Sequence, residues 1–205
     1  MYALPMFKGI AVGLAIAAPV GPIGVLCIRK TLAEGRAAGF ACGLGAATAD
    51  GIYGAIAAFG MAAATAFLTS QTFWLSVLGG LFICWLGYST FRSKPAEKPA
   101  EASGHGYAKA YATTFLLTLT NPMTILSFAA IIAAQGFAGQ SGGAVAGAVF
   151  VFGVFLGSAL WWLMLSLGVG HFRSHVSPAR MRWINWISGT ILVAFGVWSI
   201  VRAFA

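Results

Sequence analysis

Acidic side chains are almost absent from this chain. Asp and Glu together number 4 in 205 residues, against 12 Lys and Arg, and charged residues of all kinds make up only 8%. A soluble domain averages about 25% charged residues, so a mostly water-facing exterior is excluded. Cysteine is scarce as well. Cys27, Cys42 and Cys84 form no Cys-x-x-Cys pair, and they read as apolar packing residues rather than a redox or zinc centre. His105, His171 and His175 show no metal-ligand spacing with them. Neither a nucleotide-binding loop nor a hydrolase elbow is found. The expectation is no catalytic residue, no metal site and no cofactor.

What the chain does have is apolar length. Hydrophobic residues make up 60% of it. Six runs lie near 7–28, 38–62, 73–91, 110–134, 144–168 and 184–204. Each is close to the roughly 20 residues a helix needs to cross a bilayer. The lipid bilayer is therefore the solvent for most side chains. The first run is too long for a signal peptide and contains two prolines, so it reads as a retained helix.

The net charge of +8 does not point to nucleic acid, because 10 of the 12 basic residues sit in short loops between apolar runs, with only Lys8 and Arg202 near the two termini. Arg29, Lys30 and Arg36 follow the first run. Arg92, Lys94, Lys98 and Lys109 lie between the third and fourth, and Arg173, Arg180 and Arg182 follow the fifth. The loops 63–72 and 135–143 hold no basic residue. Positive loops stay in the cytoplasm, which places both termini outside, in the periplasm. The stretch 93–106, rich in Pro, Ala, Lys and Glu, reads as a mobile cytoplasmic linker. It divides the chain into a first three-helix unit, 1–92, and a second, 107–205.

The two units resemble each other. Gly80 and Gly87 in the third run match Gly189 and Gly196 in the sixth at the same spacing. Asp50, Tyr53 and Gly60 in the second run correspond to Ser158, Trp161 and Gly168 in the fifth. With three helices per unit, the second must enter the membrane upside down. The expected fold is all-α and integral to the membrane, with six transmembrane helices as two inverted three-helix repeats. Gly35, Gly39 and Gly43, and Gly153 and Gly157, mark close helix contacts. Such glycine faces leave a homodimer open, although packing within one chain explains them equally.

Two helices carry breaks. Pro19, Gly21 and Pro22 interrupt the first run, and Asn121 and Pro122 interrupt the fourth. Proline lacks an amide hydrogen and clashes with the preceding turn. Broken backbone at membrane depth is tolerated where it is buried in protein or lines a wet cavity. Breaks at corresponding positions of two repeats point to a transport site. A kink for packing, or helix–helix hydrogen bonding by Asn121, is the plainer alternative for either break alone.

Asp50 is the only acid inside an apolar run. An acid at a helix centre costs about 2.5 to 3.5 kcal/mol to insert, and such a carboxyl resists ionisation. It suits proton exchange or, when ionised, binding of a substrate ammonium. A protonated carboxyl retained for packing is the other reading. Tyr53, one turn on, either meets Asp50 or substrate, or packs as an aromatic ring. The tryptophans, Trp162 and Trp198 among them, read as packing or interface anchors.

The block PVGPIGVLCIRKTLAEGRAAGFACGLGAATADGIYGAIAAFG, residues 19–60, carries a Pro-Gly-Pro element, a Gly-Arg-x-x-Gly turn and the acid of the second helix. LTLTNPMTILSF carries an Asn-Pro element, and the glycine pairs of the third and sixth runs complete the set. In these features the chain resembles the lysine-exporter superfamily, in its branch of homoserine/threonine and related amino-acid efflux proteins. Val20 between Pro19 and Gly21, and Met123 where the family commonly has lysine, depart from the pattern. The resemblance implies a bacterial inner-membrane exporter driven by the proton motive force. Its partners are then a small amino-acid-like substrate and protons. The expected substrate and proton site comprises Asp50, Asn121, Pro122, Pro19, Gly21, Pro22 and Tyr53. The rival readings are a metal or inorganic cation exporter of the same superfamily, which calls for clustered ligands, a membrane enzyme, and a non-transporting membrane protein.

Overall fold

The computed structural model describes residues 2–19, 21–59, 67, 70–93, 104–135 and 143–204. Most of the linker, residues 94–103, lies outside these, as does Gly60. Among the described residues eight α-helices follow one another: α1 (Ala3–Ala17), α2 (Pro22–Glu34), α3 (Arg36–Ala58), α4 (Thr72–Phe91), α5 (Gly104–Leu119), α6 (Pro122–Gln135), α7 (Gly143–His171) and α8 (Pro178–Ala203). No strand occurs among the described residues. The helices α3, α4, α7 and nearly all of α8 are each long and apolar enough to cross a bilayer. The pair α1 and α2 qualifies jointly, with a bend of 83° between them. The protein is an all-α, multi-pass membrane protein.

Local chemistry sets the helix boundaries. Pro22 opens α2 at its first turn, where a missing amide hydrogen costs nothing. The first apolar run is thereby split into α1 and α2. Pro122 splits the fourth run in the same way, into α5 and α6. Between α2 and α3, Gly35 takes φ 102°, a conformation that glycine reaches without strain. Of the series Gly35, Gly39 and Gly43, the first therefore makes a turn. The other two make contacts, Gly39 against Thr31 and Gly43 against Trp162. Ser177 caps α8, its Oγ accepting from the Arg180 N–H at 3.3 Å.

Burial runs inside out relative to a soluble protein. On α4, Trp74, Leu78, Leu81, Trp85 and Tyr88 are exposed, while Ser76, Gly79, Gly80 and Gly87 are buried. Lipid gives large apolar side chains no reason to hide, so small residues bring helices together. α4 and α8 meet this way. A Cβ on Gly80 would lie 2.8 Å from the Gly196 carbonyl oxygen, and one on Gly87 would lie 2.8 Å from that of Gly189. α1 lies on α7, where Gly153 meets Gly9, and α5 lies on α3 at Gly45. Thr114 Oγ1 then reaches across from α5 to the Cys42 carbonyl at 2.6 Å. α3 and α7 pack on each other at the centre of this arrangement.

Candidate functional site

The breaks in the two split helices meet at one cavity of about 290 Å³. Its wall includes Pro19, Gly21 and Pro22 from the first break, Asn121 and Pro122 from the second, and Asp50 from α3. These residues come from three separate stretches of chain. Ligand sites usually start at about 300 Å³, so this one suits a small metabolite.

The second break has its backbone largely accounted for. Pro122 has no amide to offer the Thr118 carbonyl, which accepts from the Asn121 N–H instead, at 3.2 Å. The Met123 N–H turns to Asn121 Oδ1 at 3.1 Å, which takes it away from the Leu119 carbonyl. Tyr53 fills that gap, its hydroxyl donating to the Leu119 carbonyl at 2.6 Å. The Tyr53 ring stacks on Phe128 with centroids 5.5 Å apart. Tyr53 thus stands behind the wall and does not line the cavity. Replacing Tyr53 with Phe keeps the ring and leaves the Leu119 carbonyl without its donor. We expect a loss of about 1 to 3 kcal/mol of stability, read as a lower melting temperature of the purified protein. An unchanged melting temperature would show that the hydroxyl is dispensable to the break.

Asp50 is only 3% exposed. Ser158 Oγ donates to its Oδ2 at 2.7 Å, and the indole Nε1–H of Trp162 donates to Ser158 Oγ at 3.2 Å. The indole occupies an acceptor site of the hydroxyl, so the hydroxyl hydrogen stays directed at the carboxyl. The other oxygen, Oδ1, accepts from no described residue and is not sealed in protein. The only ion pair among the described residues is Lys30–Glu34, so no described cation faces Asp50. Desolvating a charge without a partner is expensive, and a partner arriving from the cavity would relieve it.

Several lining residues escaped the sequence reading. Trp162, Trp198, Ser127 and Ser199 are among them, whereas Thr118 and Thr124, which flank the Asn-Pro break and read from the sequence as groups that satisfy freed backbone or face a polar cavity, line the cavity as expected. The tryptophans gave no distinct signal among seven. Ser158 could have been found, because the sequence spacing that likens the two halves sets it opposite Asp50. Among the described residues no group of His, Cys, Asp and Glu has the arrangement to hold a metal ion.

Residues 14–202 match the LysE type translocator family. The chain belongs to that family. Among relatives of this LysE type translocator is the putative amino acid efflux protein YcgF of Bacillus subtilis (strain 168). It is 29% identical over 196 residues, which is 91% of this chain and 90% of that protein. The threonine efflux protein of Salmonella typhimurium (strain LT2) is 24% identical over 133 residues, 62% of this chain and 64% of its own. The uncharacterized membrane protein YahN of Escherichia coli (strain K12) is 26% identical over 110 residues, 51% of this chain and 48% of its own. No solved structure matches this translocator.

Proposed function

We propose that this translocator exports an amino acid or a related small metabolite across the bacterial inner membrane, in exchange for protons. The observation that carries the reading is Asp50. It is the lone acid within an apolar run, it lines the cavity between two broken helices, and no described cation faces it. A carboxylate in that setting holds either a proton or a substrate ammonium, and one excludes the other. Such competition at a single oxygen pair is sufficient for antiport. Asn121 and the backbone freed at Pro19–Pro22 supply further polar contacts. The efflux name of the Bacillus subtilis relative, which aligns over nearly the full length of both chains, favours the same substrate class.

The six-span, two-repeat architecture belongs to this proposal, with units 1–92 and 107–205. If the units are related by a two-fold axis, Gly80 is equivalent to Gly189 and Gly87 to Gly196. A contact of Gly80 with Gly196 then requires one of Gly189 with Gly87, and both occur. Equivalent residues on the axis must touch each other, as Ser158 and Asp50 do. Rocking one unit against the other about this axis would expose the cavity to each side in turn. The basic loops put both termini in the periplasm, so a membrane-impermeant thiol reagent should label cysteines placed at either end of the chain in intact spheroplasts.

The direct test is flux. Purified protein in liposomes, with a pH gradient imposed, should move at least one labelled amino acid from a panel of the twenty. Dissipating the gradient should stop net accumulation. Absence of flux for every member of the panel would remove the reading.

A further inference from the structure

The cavity carries polar groups of two opposite kinds, the Asp50 carboxyl and the backbone amides at the first break. At the first break, Gly21 is extended, with φ −117° and ψ −164°, and no side chain caps α2. Two backbone amides flank Pro22 there, those of Gly21 and Ile23. Neither donates to any described residue, and both residues line the cavity. At the second break the matching amides are engaged, the Asn121 N–H by the Thr118 carbonyl at 3.2 Å and the Met123 N–H by Asn121 Oδ1 at 3.1 Å. The first break alone therefore presents open donors at a helix N-terminus, where the peptide dipoles favour an anion.

A second observation points to a ligand at the same place. Thr124 is 7% exposed and lines the cavity, and its hydroxyl bonds to no described residue, yet it is not sealed in protein. A buried polar group left without a partner costs free energy comparable to a lost hydrogen bond. Asp50 Oδ1 stands open to the same space. One cavity thus offers amide donors that suit a carboxylate and a carboxylate that suits an ammonium.

Resting on the amino-acid reading above, we infer that the Gly21 and Ile23 amides at the start of α2 form a subsite for the α-carboxylate of the exported molecule, opposite in charge preference to Asp50. The ligand class is then a zwitterion with its ammonium and carboxylate close together, in preference to an amine lacking the carboxylate. The two helix halves of the first break divide the labour, because the N-terminus of α2 carries the partial positive charge. Thr124 supplies a neutral hydrogen bond from the opposite broken helix.

Gly21 makes the inference testable without wrecking the fold. A Cβ there meets nothing within 4 Å, and its backbone angles suit any residue. The Gly21→Val variant should fold and melt as the native protein does, while adding bulk beside both amides. Binding to purified protein would be followed by thermal shift, with each of the twenty L-amino acids and its methyl ester, which keeps the ammonium and masks the carboxylate. Native protein should prefer the acid that binds best over its ester by about tenfold to a hundredfold, the range for hydrogen bonds to a charged group. In Gly21→Val that preference should fall close to one. Should the valine variant fail to fold, Gly21→Ala carries the same comparison. An ester that binds native protein as well as its acid overturns the subsite and leaves the exporter reading standing. So does a preference that survives in the folded variant. Absence of binding by any amino acid overturns both.

Discussion

Asp50→Asn is expected to abolish flux driven by a pH gradient. Asparagine has nearly the same shape and still accepts from Ser158 Oγ, which now donates to Asp50 Oδ2 at 2.7 Å. The fold should therefore persist, and a melting curve would check that. What the amide cannot do is release a proton or pair with an ammonium. Loss of a charge-assisted contact weakens substrate binding by about tenfold to a hundredfold, and loss of titration removes coupling altogether. Asp50→Glu keeps the chemistry but displaces it by one methylene in a tight place, so it should retain a fraction of the driven flux. Proton-driven flux at the native rate in Asp50→Asn would refute the coupling role. Equal loss in Asn and Glu variants, with intact folding, would show that position matters as much as charge.

Alanine at Gly45 should be strongly destabilising, whereas alanine at Gly168 should be harmless. Both glycines lie inside helices, where replacing glycine by alanine is intrinsically favourable by about 1 kcal/mol. At Gly45, however, the new methyl would lie 2.2 Å from the Tyr111 carbonyl oxygen of α5 and 2.9 Å from Thr114 Oγ1. Those are backbone and a bonded hydroxyl, so α5 itself must retreat. The Thr114 bond to the Cys42 carbonyl would stretch with it. Overpacking of this kind costs about 1 to 3 kcal/mol, occasionally more. A Cβ at Gly168 meets nothing within 4 Å. The two variants should thus shift the melting temperature in clearly different degrees, with Gly45→Ala well below native and Gly168→Ala at or slightly above it. Similar melting temperatures for the pair would mean that α5 does not approach α3 as closely as described.

That contrast shows where the sequence stops being legible. A glycine in an apolar run looks the same whether a neighbouring backbone lies against it or lipid does. Helical periodicity tells which residues share a face and is silent on what the face meets. Gly35, Gly39 and Gly43 read as one packing series at four-residue spacing, yet Gly35 is the turn that releases α3. Tyr53 lies one turn from Asp50, and the natural reading joins them. In the folded chain its hydroxyl serves the Leu119 carbonyl, 66 residues away, because a broken helix leaves a need there that no local residue meets. Trp162 was one aromatic among many until its indole was found behind Ser158.

What the sequence by itself determined is what covalent chemistry and composition settle locally. Proline cannot donate, so the two helices could not run on undisturbed through Pro22 and Pro122. A chain with four acids left Asp50 isolated among apolar residues, and long apolar runs required lipid. The tertiary structure alone decided that the two breaks and Asp50 line one cavity, that Ser158 holds one carboxyl oxygen while the other accepts from no described residue, and that the amides of Gly21 and Ile23 have no partner among the described residues. These facts depend on segments up to 108 residues apart lying side by side. Contact at that range is fixed by how whole helices fit together, and no local pattern along the chain encodes it.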